Sequence, residues 1–235
     1  MRQIERLRPD QIQAALADRS LIYLPLGTIE WHCHHLPVGL DALTAHGLCL
    51  LAAEETGGLV WPVLYYGTGG GHGAFPWTVM MPDRVEIEAM LTQTLRRLGQ
   101  MDVKEVLLFS GHFADEQLQM IDEMAMQWNA KGVLPDVKAF AVNRAQVSSF
   151  PPDHAGLFET TLLDGLEGEL VDLSKLGTAA EDIDRFDPAS PLWGIVGRDP
   201  RELPASDGPT LVRLVVKAIT DITGSDRHRS MKRPV

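Results

Sequence analysis

Apolar residues along this chain fall into two kinds of run. Short, nearly unbroken apolar stretches closed by turn residues lie at Leu21–Leu26 before Gly27, at 59–66 before Gly67, at 103–109 before Gly111, and at 137–142. Their length and closing residues predict strands, and the lack of polar alternation predicts that both faces are covered, as in a parallel sheet. Between them the apolar spacing turns helical. Residues 41–55 carry Leu43, Leu48, Leu50 and Leu51, and Asp83 stands where it would cap a helix with the stripe Ile87, Met90, Leu91, Leu95 and Leu98. Residues 115–130 and 208–223, the latter opened by Pro209, read as two more helices. Strands alternating with helices of this length predict a layered α/β/α fold with a mostly parallel central sheet.

Composition narrows the picture. At 235 residues the chain suits one domain spanning 1–235, with a polar tail at 224–235 that reads as frayed. A net charge of -11 argues against a nucleic-acid partner, since counterion release needs a dense Lys/Arg stripe. With no apolar run of about 18 residues and no apolar stretch at the N-terminus, neither a membrane span nor a signal peptide is expected. Two cysteines, Cys33 and Cys49, do not make a disulfide framework, and a cytoplasmic location follows as the expectation. Residues 182–204, rich in Asp, Pro and Gly, form a long loop that is either an excursion over the surface or a cover for a site or an oligomer contact.

Residues able to do chemistry gather where the predicted strands stop. After the first strand come Glu30, His32, Cys33, His34 and His35, then Asp41. Glu30 and His32 are two apart, so in an extended segment both point the same way and can reach one ion, which Asp41 can join. Imidazole nitrogen combined with carboxylate oxygen suits Zn²⁺, Mn²⁺ or Fe²⁺ at a hydrolytic site, whereas a His-rich turn can also be a plain polar loop. At the end of the third strand, Gly111 permits a sharp turn that exposes His112 at the carboxyl edge of the sheet, as a further ligand or a helix-start His on backbone; Asp115 reads as a cap. His154 and Glu159, five apart across Gly156, can converge on one cavity as a proton shuttle and another carboxylate, while Glu159 can equally be a helix-start acid. The glycine run 69–71 has no Gly-Lys-Ser/Thr after it, so it reads as a loop that brings His72 and Trp77 to a substrate.

Together these segments resemble the creatininase family of metal-dependent amidohydrolases. Its opening motif, approximately P-x-G-S-x-E-Q-H-G-x-H-L-P followed by an Asp, is similar to Pro25 through Pro37 and Asp41; its other motifs look like 71–78, 111–115 and 154–161. The resemblance implies a small-molecule substrate, a homo-oligomer, often a hexamer, and a site of one or two divalent ions, zinc foremost. It implies Glu30, His32, Asp41, His112 and Glu159 as ligands, Asp41 as the bridge, and His154, with Glu159, as the catalytic groups. Bound metal would polarise a carbonyl and bring a water pKa to about 7. Departures are Trp31 for a common Gln, Cys33 for a common Gly, and Ala114 where creatininase carries a Glu.

The departures point away from creatinine itself and toward another small amide or formamide, cyclic or open. The same site could instead open the ring of a cyclic polyol ketone, with His34, His35 and His72 facing hydroxyls. Two further readings are a non-catalytic metal- or ligand-binding subunit, and a thiol hydrolase using Cys33.

Overall fold

A computed structural model of the chain describes residues 1–79, 83–178, 184–203 and 207–224. Four parallel strands, β1 (Leu21–Leu26), β2 (Leu59–Val60), β3 (Glu105–Ser110) and β4 (Asp136–Ala141), form a sheet in the order β2-β1-β3-β4. In register, Tyr23 pairs with Leu107 and Leu107 with Lys138, so the carboxyl ends of β1 and β3 stand side by side. Among the described residues six α-helices accompany them: α1 (Pro9–Asp18), α2 (Leu40–Thr56), α3 (Val85–Gln100), α4 (Asp115–Asn129), α5 (Leu157–Glu167) and α6 (Gly208–Gly224).

The unbroken apolar character of β1 has the cause its pattern predicted. Leu21 and Tyr23 enter one core with α2, α5 and α6, while Ile22, Leu24 and Leu26 enter another with α3 and α4. Side chains alternate across a strand, so only a strand sandwiched between helical layers needs apolar residues at every position. The result is the predicted α/β/α layering.

Several local expectations are corrected. The run 59–66 pairs as a strand only at Leu59–Val60; Leu64 makes an isolated bridge to Leu26. Pro62 lies between them and has no N–H for the ladder. Helix α3 begins at Val85 behind Arg84 with no side-chain cap, so Asp83 does not cap it, and Met90 is exposed. Its anchor is Ile87, Leu91, Leu95 and Leu98, all buried. At about 2 kcal/mol per buried side chain these outweigh a missing cap worth about 1 kcal/mol. Asp115 is the first residue of α4 rather than its cap, a place held by Ala114. Helix α1 was not anticipated; it buries no residue fully, so its pattern is faint. The tail beyond 224 lies outside the described residues.

The late loop is not a simple excursion. Over 184–203, Leu192 and Ile195 join Cys33, Leu36, Leu40, Ala155, Leu163 and Leu176 in a third apolar cluster. That cluster fastens the loop beside the carboxyl end of the sheet.

Candidate metal centre

Close backbone approach brings the donors together. A Cβ on Gly27 would lie 2.2 Å from the Ala42 nitrogen, and one on Gly111 would lie 2.0 Å from the Asp41 carbonyl oxygen. Only glycine at both positions lets the first turn of α2 press onto the ends of β1 and β3, placing Asp41 between the two strands. Gly111 thus serves both the bend that ends β3, as its position suggested, and this close contact.

Around Asp41 stand four other predicted residues. Asp41 Oδ1 is 3.2 Å from His32 Nε2, which is 3.7 Å from Glu159 Oε2. Asp41 Oδ2 is 3.3 Å from His112 Nδ1, which is 3.0 Å from Glu30 Oε2. Two donor groups result, Glu30–Asp41–His112 and His32–Asp41–Glu159, each with its donor atoms within 4.8 Å of one another. His154 joins a third such group with Glu30 and His32. Among these, Glu30, His32, Asp41, His112 and Glu159 are buried, while His154 is half-buried.

The orientation of the histidines follows from their outer partners. His32 Nδ1–H donates to the Glu30 carbonyl at 3.0 Å, and His112 Nε2–H donates to the Thr68 carbonyl at 3.2 Å. A carbonyl can only accept, so the outer nitrogen of each ring carries a hydrogen and the other nitrogen is the one turned toward the carboxylates, where a cation would displace any proton it holds. His32 Nε2 and Asp41 Oδ2 are nonetheless buried without a directed hydrogen bond. Close, undirected nitrogen and oxygen donors around common points fit a divalent cation better than they fit each other, and the mixed set suits Zn²⁺, Mn²⁺ or Fe²⁺.

The electrostatics agree. Burial would lower the His32 imidazole, but Asp41, Glu159 and Glu30 outweigh it and raise it to about 10. His112 is raised in the same way by Asp41 and Glu30 against burial. Burial acts to raise Asp41, yet the two imidazoles hold it below its ordinary value; Glu159 goes up, because burial and Asp41 dominate over His32. Buried acids and imidazoles thus compete for protons that a cation would displace.

Glu159 depends on Asp153, which lies outside the predicted set of site residues. Asp153 Oδ2 accepts from Phe158 N–H at 3.0 Å and Oδ1 from Glu159 N–H at 3.4 Å, so it caps α5, while Ala155 N–H donates to Glu159 Oε2 at 2.6 Å. Burial raises the Asp153 carboxyl to about 6 despite those backbone donors. An Asp ahead of Gly156 was the available signal, but its cap geometry runs through a left-handed Ala155 (φ 52) that no spacing rule anticipates.

A cavity of about 190 Å³ opens onto the donors, lined by Glu30, Gly70, His112, Phe113, Ala114, His154 and Glu159. Ala114, the departure noted in the sequence, leaves a methyl on its wall. Two of the predicted pocket residues lie elsewhere: His34 is exposed and edge-on to Trp31, and Trp77 is 76% exposed. His72 contributes backbone to the turn His72–Ala74, and its side chain lies outside the described residues. His35 is buried against Thr160 Oγ1 at 2.9 Å. Cys33 donates to the Pro191 carbonyl and burial pushes its thiol up to about 11, which removes the thiolate a cysteine hydrolase needs.

Comparison with known proteins places this geometry. The family model for Creatininase, described as creatinine amidohydrolase, matches residues 5–223. A creatinine amidohydrolase of Pseudomonas putida is 27% identical over 211 residues, covering 80% of this chain and 78% of that protein. Among solved structures, a creatinine amidohydrolase (creatininase) has TM-score 0.78 at 24% identity, over 95% of this chain and 96% of that one. A structure of "Creatininase Mn" has TM-score 0.77 at 24% identity, over 96% and 97% of the two chains. Among the described residues, no helix is long and apolar enough to cross a membrane.

Proposed function

The chain belongs to the creatininase family, and from that premise we propose that it is a metal-dependent hydrolase cleaving the C–N bond of a small amide or formamide. The observation that carries this reading is the Asp41 carboxylate, with Oδ1 at 3.2 Å from His32 and Oδ2 at 3.3 Å from His112. One carboxylate shared by two donor groups is the arrangement expected of a two-ion site. Glu30, His112 and Asp41 would hold one cation, and His32, Glu159 and Asp41 the other. Bound there, divalent cations supply Lewis acidity toward a carbonyl and acidify water.

The chain's own groups supply the rest. A cavity of about 190 Å³ is below the drug-sized range of about 300 to 1,000 Å³, which restricts the substrate to a small molecule. Phe113 and Ala114 give it an apolar wall beside the polar donors. Water adds across the bond: hydroxyl goes to the carbonyl carbon, the C–N bond breaks, and the nitrogen leaves with a proton. His154 lines the cavity beside Glu30 and His32 and carries that proton. Glu159, buried and raised, keeps its place through Asp153 and Ala155.

Elemental analysis of protein purified without chelator, followed by a panel of small cyclic and open amides and cyclic keto-polyols, tests the proposal. About two zinc or manganese ions per chain, and amide hydrolysis abolished by chelation and restored by metal, are expected. Turnover confined to keto-polyols would shift the substrate class to ring opening. Bound metal with no turnover would support a non-catalytic binding subunit, and no metal after reconstitution would end the reading.

A further inference from the structure

We propose that Trp31 is a positioning residue: its main-chain carbonyl holds the proton of His154 on Nε2, and its indole is the strut that keeps that carbonyl in place. This rests on the reading of His154 as the proton carrier. His154 Nε2 lies 2.9 Å from the Trp31 oxygen. A carbonyl accepts and cannot donate, so Nε2 bears the hydrogen and Nδ1 is the basic nitrogen. A histidine that moves a proton must present the correct nitrogen, and the partner on the other nitrogen decides which that is.

What fixes the carbonyl comes from two other loops. Trp31 N–H donates to Thr78 Oγ1 at 2.9 Å, and Trp31 Nε1–H donates to the Trp193 carbonyl at 3.0 Å. The Trp193 ring lies 5.2 Å from that of Trp31 and 4.8 Å from that of Phe75. Gly194 (φ 88) follows, and a Cβ there would come 2.9 Å from the Trp31 Nε1, so the late loop is shaped around the indole. Two residues further, Val196 exchanges both backbone hydrogen bonds with His154, each 2.9 Å. A single segment, 193–196, therefore grips the Trp31 side chain and the His154 main chain together. That segment thus links the imidazole and its acceptor directly, beside the tie from Thr78. Trp31 is 7% exposed, as befits a strut.

The test is nitrogen-15 NMR of the zinc-loaded protein with labelled histidine, His154 being assigned through His154→Gln. Wild type is expected to show a protonated Nε2 and an unprotonated Nδ1. Trp31→Phe keeps a ring but removes the indole donor, and Thr78→Val removes the other tie. In either variant the two His154 nitrogen shifts are expected to move toward each other as tautomers mix, at unchanged zinc content. Should Trp31→Phe fail to fold, Thr78→Val carries the same expectation. A wild-type His154 protonated on Nδ1, shifts unmoved in folded variants, or zinc lost in step with the shifts would each overturn the proposal. None of these readouts needs turnover, so failure of the hydrolase reading in the substrate panel remains a separate result.

Discussion

The two donor groups that meet at Asp41 are built by different means. Glu30 and His112 follow the adjacent parallel strands β1 and β3, whose register is fixed by six residue pairs from Leu21–Glu105 to Leu26–Ser110. Glu159 comes from α5, whose start is held by Asp153, and Asp153 is packed under the late loop, where a Cβ on Gly197 would lie 2.4 Å from the Asp153 Cβ. The first group is therefore set by strand register, whereas the second, although α5 packs in the core, also depends on loop contacts at the start of that helix. Loops open locally at lower free energy than core strands, so the second group should be the one that loosens first.

The sharpest way to break the comparison is to remove what the groups share. Asp41→Asn should lower metal content from about two ions per chain to below about one, with both groups affected, as read by elemental analysis; retention of both ions would mean that Asp41 is not the bridge. Next in size, Gly111→Ala forces a methyl against the Asp41 carbonyl and should destabilise the fold by about 3 kcal/mol, read by denaturant unfolding. It strikes the strand-set group directly.

A selective blow to the loop-dependent group should be smaller. Asp153→Asn leaves volume unchanged but weakens the cap over Glu159, and should reduce the affinity of the weaker ion about 10- to 100-fold, leaving the tighter one in place. Competition with a graded chelator reads the two steps separately, and equal weakening of both would erase the distinction between strand register and loop contacts.

His35 joins the regions, running from the first loop to Thr160 beside Glu159. Burial lowers its imidazole to about 4, below the ordinary 6.5. Between these values the unfolded chain takes up a proton that the folded chain refuses, so stability falls as pH drops from 6.5 toward 4. The wild type should lose about 1 to 2 kcal/mol between pH 7 and pH 5 relative to His35→Gln, measured as the difference between their denaturation midpoints across pH. Parallel pH curves would show that His35 is not buried neutral.

Much of the site could be read in the sequence because its signals are local. Glu30 and His32 are two apart after a strand, and His112 follows another strand through a glycine; strand alternation and chain reversal need no knowledge of distant residues. Asp153, Trp193 and Thr78 were passed over for the opposite reason. Each acts on a partner through main-chain geometry, and nothing in composition or period marks a carbonyl that accepts from a histidine far along the chain. His34 and Trp77 show the reverse failure, since residue types suited to a pocket stand exposed outside it.

By itself the sequence determined the layers, because strands apolar at every position must be covered on both faces, and it determined the donor types, because each sits at a strand or helix end. Only the tertiary structure decided that Asp41 stands between two donor groups, since that depends on α2 packing onto Gly27 and Gly111 at the ends of two strands distant in sequence. The same holds for the late loop. Its hold on His154 and Trp31 is a matter of backbone hydrogen bonds and indole packing, which arise when the chain closes on itself and leave no periodic trace along it.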